Sequence, residues 1–331
     1  MKKIILLILS LTLLTEVLVG CSRTPTNKNN TNISENTSSA DDVNQEPTDE
    51  AVWPKTIIDA AGKEIVLKKQ PERITLLHIV YMEYLLLLDT PPTAAAIGNA
   101  LGETEGLDKS ELFAPYLKDV DMMVVGSSRD MNLEAILESN PDLLMTFYNP
   151  TGIKMYDQLI EIAPILQLDF NATWQEQLLM IGEILGKEEE AKGHITGIEQ
   201  KISDTKDELA QYRDRTFGLF RTDGKSFIPQ GNSKYYDIFG ITRPNGFPLT
   251  ASPTDTTSLE AIAEMNPYYI VFQHNYDLSK AFVESLESSS VWQSMDAVKN
   301  GRIYYFDENM NSYGPLALKL AAEKLLGIYS N

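Results

Sequence analysis

The chain is predicted to be an α/β protein of two lobes, each built on a central, mostly parallel sheet, with a single long α-helix joining them. Three observations predict it. Short β-branched and aromatic runs alternate with helical segments from Trp53 onward, one long uninterrupted helical pattern sits between the two groups, and one phrase occurs twice. Strands separated by helical segments call for parallel sheets with crossover helices.

The first residues stand apart from that pattern. Met1-Lys2-Lys3 precedes a mostly apolar run from Ile4 to Val19, then Gly20 and the only cysteine of the chain, Cys21. A basic start, a short apolar stretch and a small residue before a cut are the parts of an export signal, and the stretch is too short for a stable membrane span. Residues 1–20 are therefore expected to be removed. Residues 22–50 are rich in Asn, Thr, Ser and acid with almost no large apolar side chain. Such a segment cannot bury enough surface to offset its ordering entropy, so 21–52 is expected to be a tether.

The first lobe, expected over 53–186, opens with a hairpin around Ala61-Gly62 and carries strand-like runs at 73–77, 122–125, 142–148 and 164–168. The second, expected over 214–331, carries runs at 216–220, 268–272 and 302–306. Between them, over 187–213, Ala191, Ile195, Ile198, Ile202, Thr205, Leu209 and Tyr212 recur at steps of 4 and 3, one stripe on a helix. At 1.5 Å per residue it spans roughly 40 Å, long enough to run along both lobes. A stiff helix as the sole connection leaves little room for hinge motion. The pattern is short for a coiled-coil dimer seam, so a monomer is expected. Asn132-Leu-Glu-Ala-Ile-Leu-Glu-Ser-Asn-Pro141 returns as Ser258-Leu-Glu-Ala-Ile-Ala-Glu-Met-Asn-Pro267, a capped short helix with an Asn-Pro stop in each lobe.

Composition closes off several functions. With 28 Lys+Arg against 47 Asp+Glu the net charge is −19, whereas nucleic-acid binding requires a cationic surface. One cysteine excludes an internal disulfide and a cysteine-based zinc site. The three histidines, His78, His194 and His274, form no His-x-His pair, which disfavours a bare metal ion as cargo. No Gly-x-Ser-x-Gly elbow and no phosphate-cradling glycine loop is present, so an enzyme is not expected.

In order and spacing, Ile57-Ile-Asp-Ala-Ala-Gly-Lys-Glu-Ile-Val-Leu67, Pro71-Glu-Arg-Ile-Thr75, the two Leu-Glu-Ala-Ile copies, Ile181-Gly-Glu-Ile-Leu-Gly-Lys-Glu188 and Ala297-Val-Lys-Asn-Gly-Arg-Ile-Tyr304 resemble the substrate-binding lipoproteins that feed ABC importers. The resembled class is the one with two Rossmann-like lobes bridged by one helix, whose members bind ferric siderophores, cobalamin, haem or metal ions. The resemblance implies that Cys21 is acylated, which places the protein on the extracytoplasmic face of the cell membrane, on a Gram-positive cell surface. It also implies that Glu134 and Glu260, second residues of the repeat helices, dock into a dimeric ABC permease. Acids in a first helical turn stabilise the macrodipole in any case.

Ligands of such folds bind in the cleft faced by the loops that follow strand carboxyl ends. Those loops hold the candidate ligand-binding residues Arg221, Arg129, Tyr148, Trp174, Tyr276, Tyr313, His78 and His274. Ferric siderophores are bulky and often anionic, so their pocket needs aromatic walls and a fixed cation. Arg221 follows the first strand of the second lobe, where the resemblance implies a ligand-contacting arginine; a guanidinium forks onto two oxygens and stays charged. Arg129 is a second candidate cation, Trp174 the expected fluorescence reporter, and Tyr235 and Tyr236 further wall candidates. A ferric siderophore is the expected ligand, with no resident cofactor. Haem, with a tyrosine, His78, His274 or Met310 as axial ligand, cobalamin, and a surface sensor or adhesion role stay open.

Overall fold

The structure, a computed structural model, describes residues 53–97, 107–250, 252 and 255–330. The expected signal, acylated cysteine and tether lie outside the described residues.

The first lobe begins with the hairpin of β1 (Lys55–Ile58) and β2 (Glu64–Leu67), paired antiparallel. Its turn is closed by Asp59, whose Oδ1 accepts from the Ala61 and Lys63 N–H groups at 2.9 and 2.8 Å. There follow β3 (Ile74–Leu76), α1 (Met82–Leu87), β4 (Ala94–Ala95), α2 (Ala114–Leu117) and β5 (Met123–Val124). A small antiparallel pair, β6 (Gly126–Ser127) and β7 (Asp130–Met131), leads into α3 (Leu133–Glu138), β8 (Leu143–Phe147), α4 (Tyr156–Ile162), β9 (Ile165–Leu168) and α5 (Trp174–Leu185). The sheet order is β5-β4-β3-β8-β9, with every pairing parallel. β8 and β9 read as near-continuous apolar runs because helices cover both faces of a parallel sheet.

The bridge is α6 (Glu188–Leu209). Its stripe is turned inward: Ala191 sits in the core of the first lobe, Ile198 and Leu209 in that of the second, with Ile195 and Ile202 packed beside them. The second lobe comprises β10 (Phe217–Thr222), β11 (Phe227–Pro229), α7 (Lys234–Asp237), α8 (Leu259–Met265), β12 (Tyr269–Gln273) and α9 (Tyr276–Leu286). It ends with α10 (Ser290–Ser294), α11 (Asp296–Lys299), β13 (Ile303–Phe306) and α12 (Pro315–Tyr329). Its sheet order is β11-β10-β12-β13, parallel except for the edge strand β11.

The bridge is not the only element spanning the boundary, because α12 packs along α6 and contributes Leu316 and Ala317 to the first core, then Leu318, Ala321, Ala322 and Leu325 to the second. The two repeat helices behave as their sequences predict. Asn132 accepts from the Glu134 and Ala135 N–H groups, Ser258 accepts from that of Ala261, and the Asn-Pro stops place Asn140 and Asn266 at φ +45° and +40°. Asn is one of the few residues that tolerates that left-handed region.

Candidate functional site

The carboxyl ends of β3, β8 and β9 in one lobe and β10, β12 and β13 in the other carry most of the candidate residues. In the first lobe His78 caps the short 3-10 turn after β3, its Nδ1 accepting from the Val80 N–H at 3.2 Å. Its ring meets Phe147 edge-on at 5.1 Å, and Phe147 in turn contacts Phe170 at 5.6 Å. Phe170 is 56% exposed and Tyr148 40% exposed, so this wall presents two aromatic faces to solvent. Sequence reasoning missed Phe147 and Phe170. Phe170 lies two residues after β9, and applying the strand-end rule to that strand finds it.

In the second lobe Arg221 lies on β10 opposite Ile228 of β11. It is half-buried, its Nε is buried without a hydrogen-bond partner, and no carboxylate forms an ion pair with it among the described residues. The next strand over ends at Gln273, whose amide donates to the Asp307 carbonyl, followed by His274. His274 Nδ1 faces Glu308 Oε2 at 3.5 Å but lacks a hydrogen-bonding geometry with it, so the contact is an ion pair only when the imidazole is protonated. Tyr276, 56% exposed, meets Tyr305 edge-on at 5.5 Å, and Tyr313 is 47% exposed after β13.

Several of the candidates sit elsewhere than expected. Trp174 is half-buried and packs against both hydrophobic cores, at the seam between lobes, because it is the first residue of α5 behind the Thr173–Glu176 capping box. Tyr235 and Tyr236 are buried at 0% and 5%, in a cluster with Phe217, and Tyr236 spends its hydroxyl on the Phe217 carbonyl and the Leu219 N–H. Met310 is fully buried in the second core, which removes its sulfur as an axial ligand, and its carbonyl accepts from Lys234. Arg129 is exposed in the turn between β6 and β7. His194 lies on the bridge helix.

No group of three His, Cys, Asp or Glu side chains able to hold a metal exists among the described residues. A cavity of about 170 Å³ lies at the outer edge of the first lobe, lined by Ile58, Gln167, Asp169, Gln177 and Met180, and contains none of the candidate residues. Glu134 and Glu260 are both exposed, each in the first turn of its helix, and neither forms an ion pair among the described residues. No described helix is long and apolar enough to cross a membrane.

Both lobes thus present exposed aromatics near strand carboxyl ends, and among the described residues Arg221 forms no ion pair. The sequence pattern of the family described as periplasmic binding protein matches residues 76–310. The chain belongs to this family. It is a binding protein and not an enzyme. It is 29% identical over 269 residues to the "Iron-uptake system-binding protein" of Bacillus subtilis, covering 74% of this chain and 78% of the relative. It is 28% identical over 272 residues to the "Probable siderophore-binding lipoprotein YfiY" of the same organism, covering 77% and 80%. The crystal structure of the iron-uptake system-binding protein FeuA from Bacillus subtilis superposes with a TM-score of 0.63 at 24% identity, over 82% of this chain and 100% of that one. The shared fold is the two-lobed α/β arrangement with a long helix.

Proposed function

We propose that this periplasmic binding protein captures a ferric siderophore in the interlobe cleft and delivers it to an ABC permease that grips Glu134 and Glu260. The observation that carries the reading is Arg221. A half-buried guanidinium without a counter-ion among the described residues is costly unless an anion comes to it, and this one stands near the carboxyl end of β10. In this reading the exposed Tyr148, Phe170, Tyr276 and Tyr313 supply apolar surface for a chelator's rings and chain, with His78 and His274 as further candidate contacts. The names of the Bacillus relatives, an iron-uptake protein and a siderophore-binding lipoprotein, support the ligand class and acylation of Cys21 at the outer membrane face.

The test is a fluorescence titration with ferric enterobactin, ferrioxamine B, ferric citrate, haem and cobalamin. At least one ferric chelate is expected to bind, and Arg221→Ala is expected to weaken it by about 1.5–3 kcal/mol, the range for a charge-assisted hydrogen bond. Binding of haem or cobalamin alone, or unchanged affinity in Arg221→Ala, overturns the assignment. Because Trp174 packs at the seam and Trp292 is 1% exposed, tyrosine emission should be followed as well as tryptophan emission.

A further inference from the structure

The loop from Asp307 to Gly314 belongs to the second lobe and carries Tyr313, yet groups from both lobes hold it. Glu83 of α1 and Lys234 of α7 are each 2% exposed and come from opposite sides of the boundary. Glu83 Oε1 accepts from the Ser312 hydroxyl, and Oε2 accepts at 2.7 Å from the Ala317 N–H in the first turn of α12. The Lys234 ammonium donates to the Met310 carbonyl and, at 2.7 Å, to that of Ser312, and it stands 5.9 Å from the centre of the Tyr313 ring. The carboxylate thus takes the segment's donors while the ammonium takes its acceptors.

Helix α12 begins at Pro315, behind Gly314, with no side-chain cap of its own. Glu83 serves as that cap from the other lobe, an anion at the positive end of the helix dipole. The approach is close: a Cβ on Gly314 would stand 2.6 Å from the Glu83 carboxylate, so a side chain there would displace it. A second tie holds the start of the loop. Asp307 Oδ2 accepts from the Ser110 hydroxyl at 2.5 Å and the Leu112 N–H at 3.2 Å, and the Asn309 amide donates to Ser110 Oγ. Burial raises the Glu83 carboxyl above its ordinary value and lowers the Lys234 ammonium, and each charge partly offsets the other's desolvation.

We infer that Glu83 and Lys234 are positioning residues that clamp the 307–314 loop across the lobe boundary, holding Tyr313 at the cleft before a ligand arrives. Neither touches ligand. The affinity measurement below rests on the cleft reading proposed above; the exchange measurement does not.

The test compares amide hydrogen exchange in the ligand-free full chain with that of Glu83→Gln, Lys234→Met and the paired Glu83→Leu/Lys234→Met, in which neither charge is left stranded. Amides of Met310 to Ala317 are expected to exchange about tenfold faster or more, while those of β8 and β12 keep their protection. Titration with ferric enterobactin, ferrioxamine B and ferric citrate then reads the consequence: whichever chelate binds the unsubstituted protein should bind each variant about tenfold more weakly, or 1.4 kcal/mol. Unchanged exchange over 310–317 overturns the clamp. Acceleration spread equally over β8 and β12, even in the paired variant, reduces the two residues to general stability and overturns it too. Faster exchange with unchanged affinity refutes the positioning of Tyr313. If no chelate binds the unsubstituted protein, the cleft reading fails and the exchange result still decides the clamp.

Discussion

His78 is committed by one hydrogen bond. Its Nδ1 accepts from the Val80 N–H, so the neutral ring carries its proton on Nε2, and a protonated ring, a donor at both nitrogens, loses the cap. Burial pushes its pKa below 6.5. The unfolded chain therefore binds a proton more readily than the folded one, so this contribution to stability is full above pH 6.5 and is lost as pH falls from 6.5 through the folded value. Thermal melts at pH 7.5 and 5.5 should show a loss at the lower pH. His78→Asn, which offers an acceptor that does not titrate, should reduce that loss; an equal loss in both proteins would remove His78 as its source. Lys234 teaches a different lesson at the same scale. Nothing in Gly231-Asn-Ser-Lys-Tyr-Tyr236 marks its lysine as buried, because its partners are carbonyls 76 and 78 residues away. The neighbouring tyrosines drew attention as cleft aromatics and proved to be core.

At the scale of elements, what was legible followed local periodicity. The bridge helix, the hairpin at Ala61-Gly62 and the repeat helices each carry their own pattern of caps, stripes or turn residues. The strand β4 does not: Ala94-Ala95 lacks β-branched side chains and is a strand only because β3 and β5 flank it. The cross-boundary packing of α12 was invisible for a related reason, since its burial extends over much of its surface and no single stripe names a partner. The repeat stops allow a paired test. Asn140 and Asn266 share a left-handed backbone, but among the described residues only Asn266 uses its side chain, donating to Asp296 Oδ2 at 2.9 Å and accepting from the Asp296 N–H. Asn140→Gly is expected to be neutral within about 0.5 kcal/mol in urea denaturation, as glycine adopts that backbone freely, whereas Asn266→Gly should cost about 1 kcal/mol for its lost hydrogen bonds. Equal effects would refute the distinction. The α5–α6 junction gives a sharper case. A Cβ at Gly182 would stand 2.7 Å from that of Ala191, so Gly182→Ala should destabilise by about 1–3 kcal/mol through overpacking where the bridge leaves the first lobe.

For the whole molecule, the two lobes are tied by α6, by α12 and by the loop contacts of Glu83 and Ser110, so the outer helices α3 and α8 ride on a framework with little freedom to separate. Each presents an exposed glutamate in its first turn, Glu134 and Glu260, at equivalent places in the internal repeat. A permease of two subunits gripping one acid per lobe needs that spacing held constant, and a framework tied at several points supplies it. General acidity is a competing explanation, since the chain carries a net charge of −19. The same two helices provide the control, because Glu138 and Glu264 are also exposed, one turn further on. Glu134→Ala/Glu260→Ala and Glu138→Ala/Glu264→Ala remove equal charge from the same helices. The first pair should bind the ferric chelate normally yet fail to support iron uptake by cells, while the second should do both. Long-range charge is screened beyond about 8 Å at physiological salt, so equal loss of uptake in the two variants would mean that the helices act as a diffuse acidic face and not through one gripped carboxylate on each lobe.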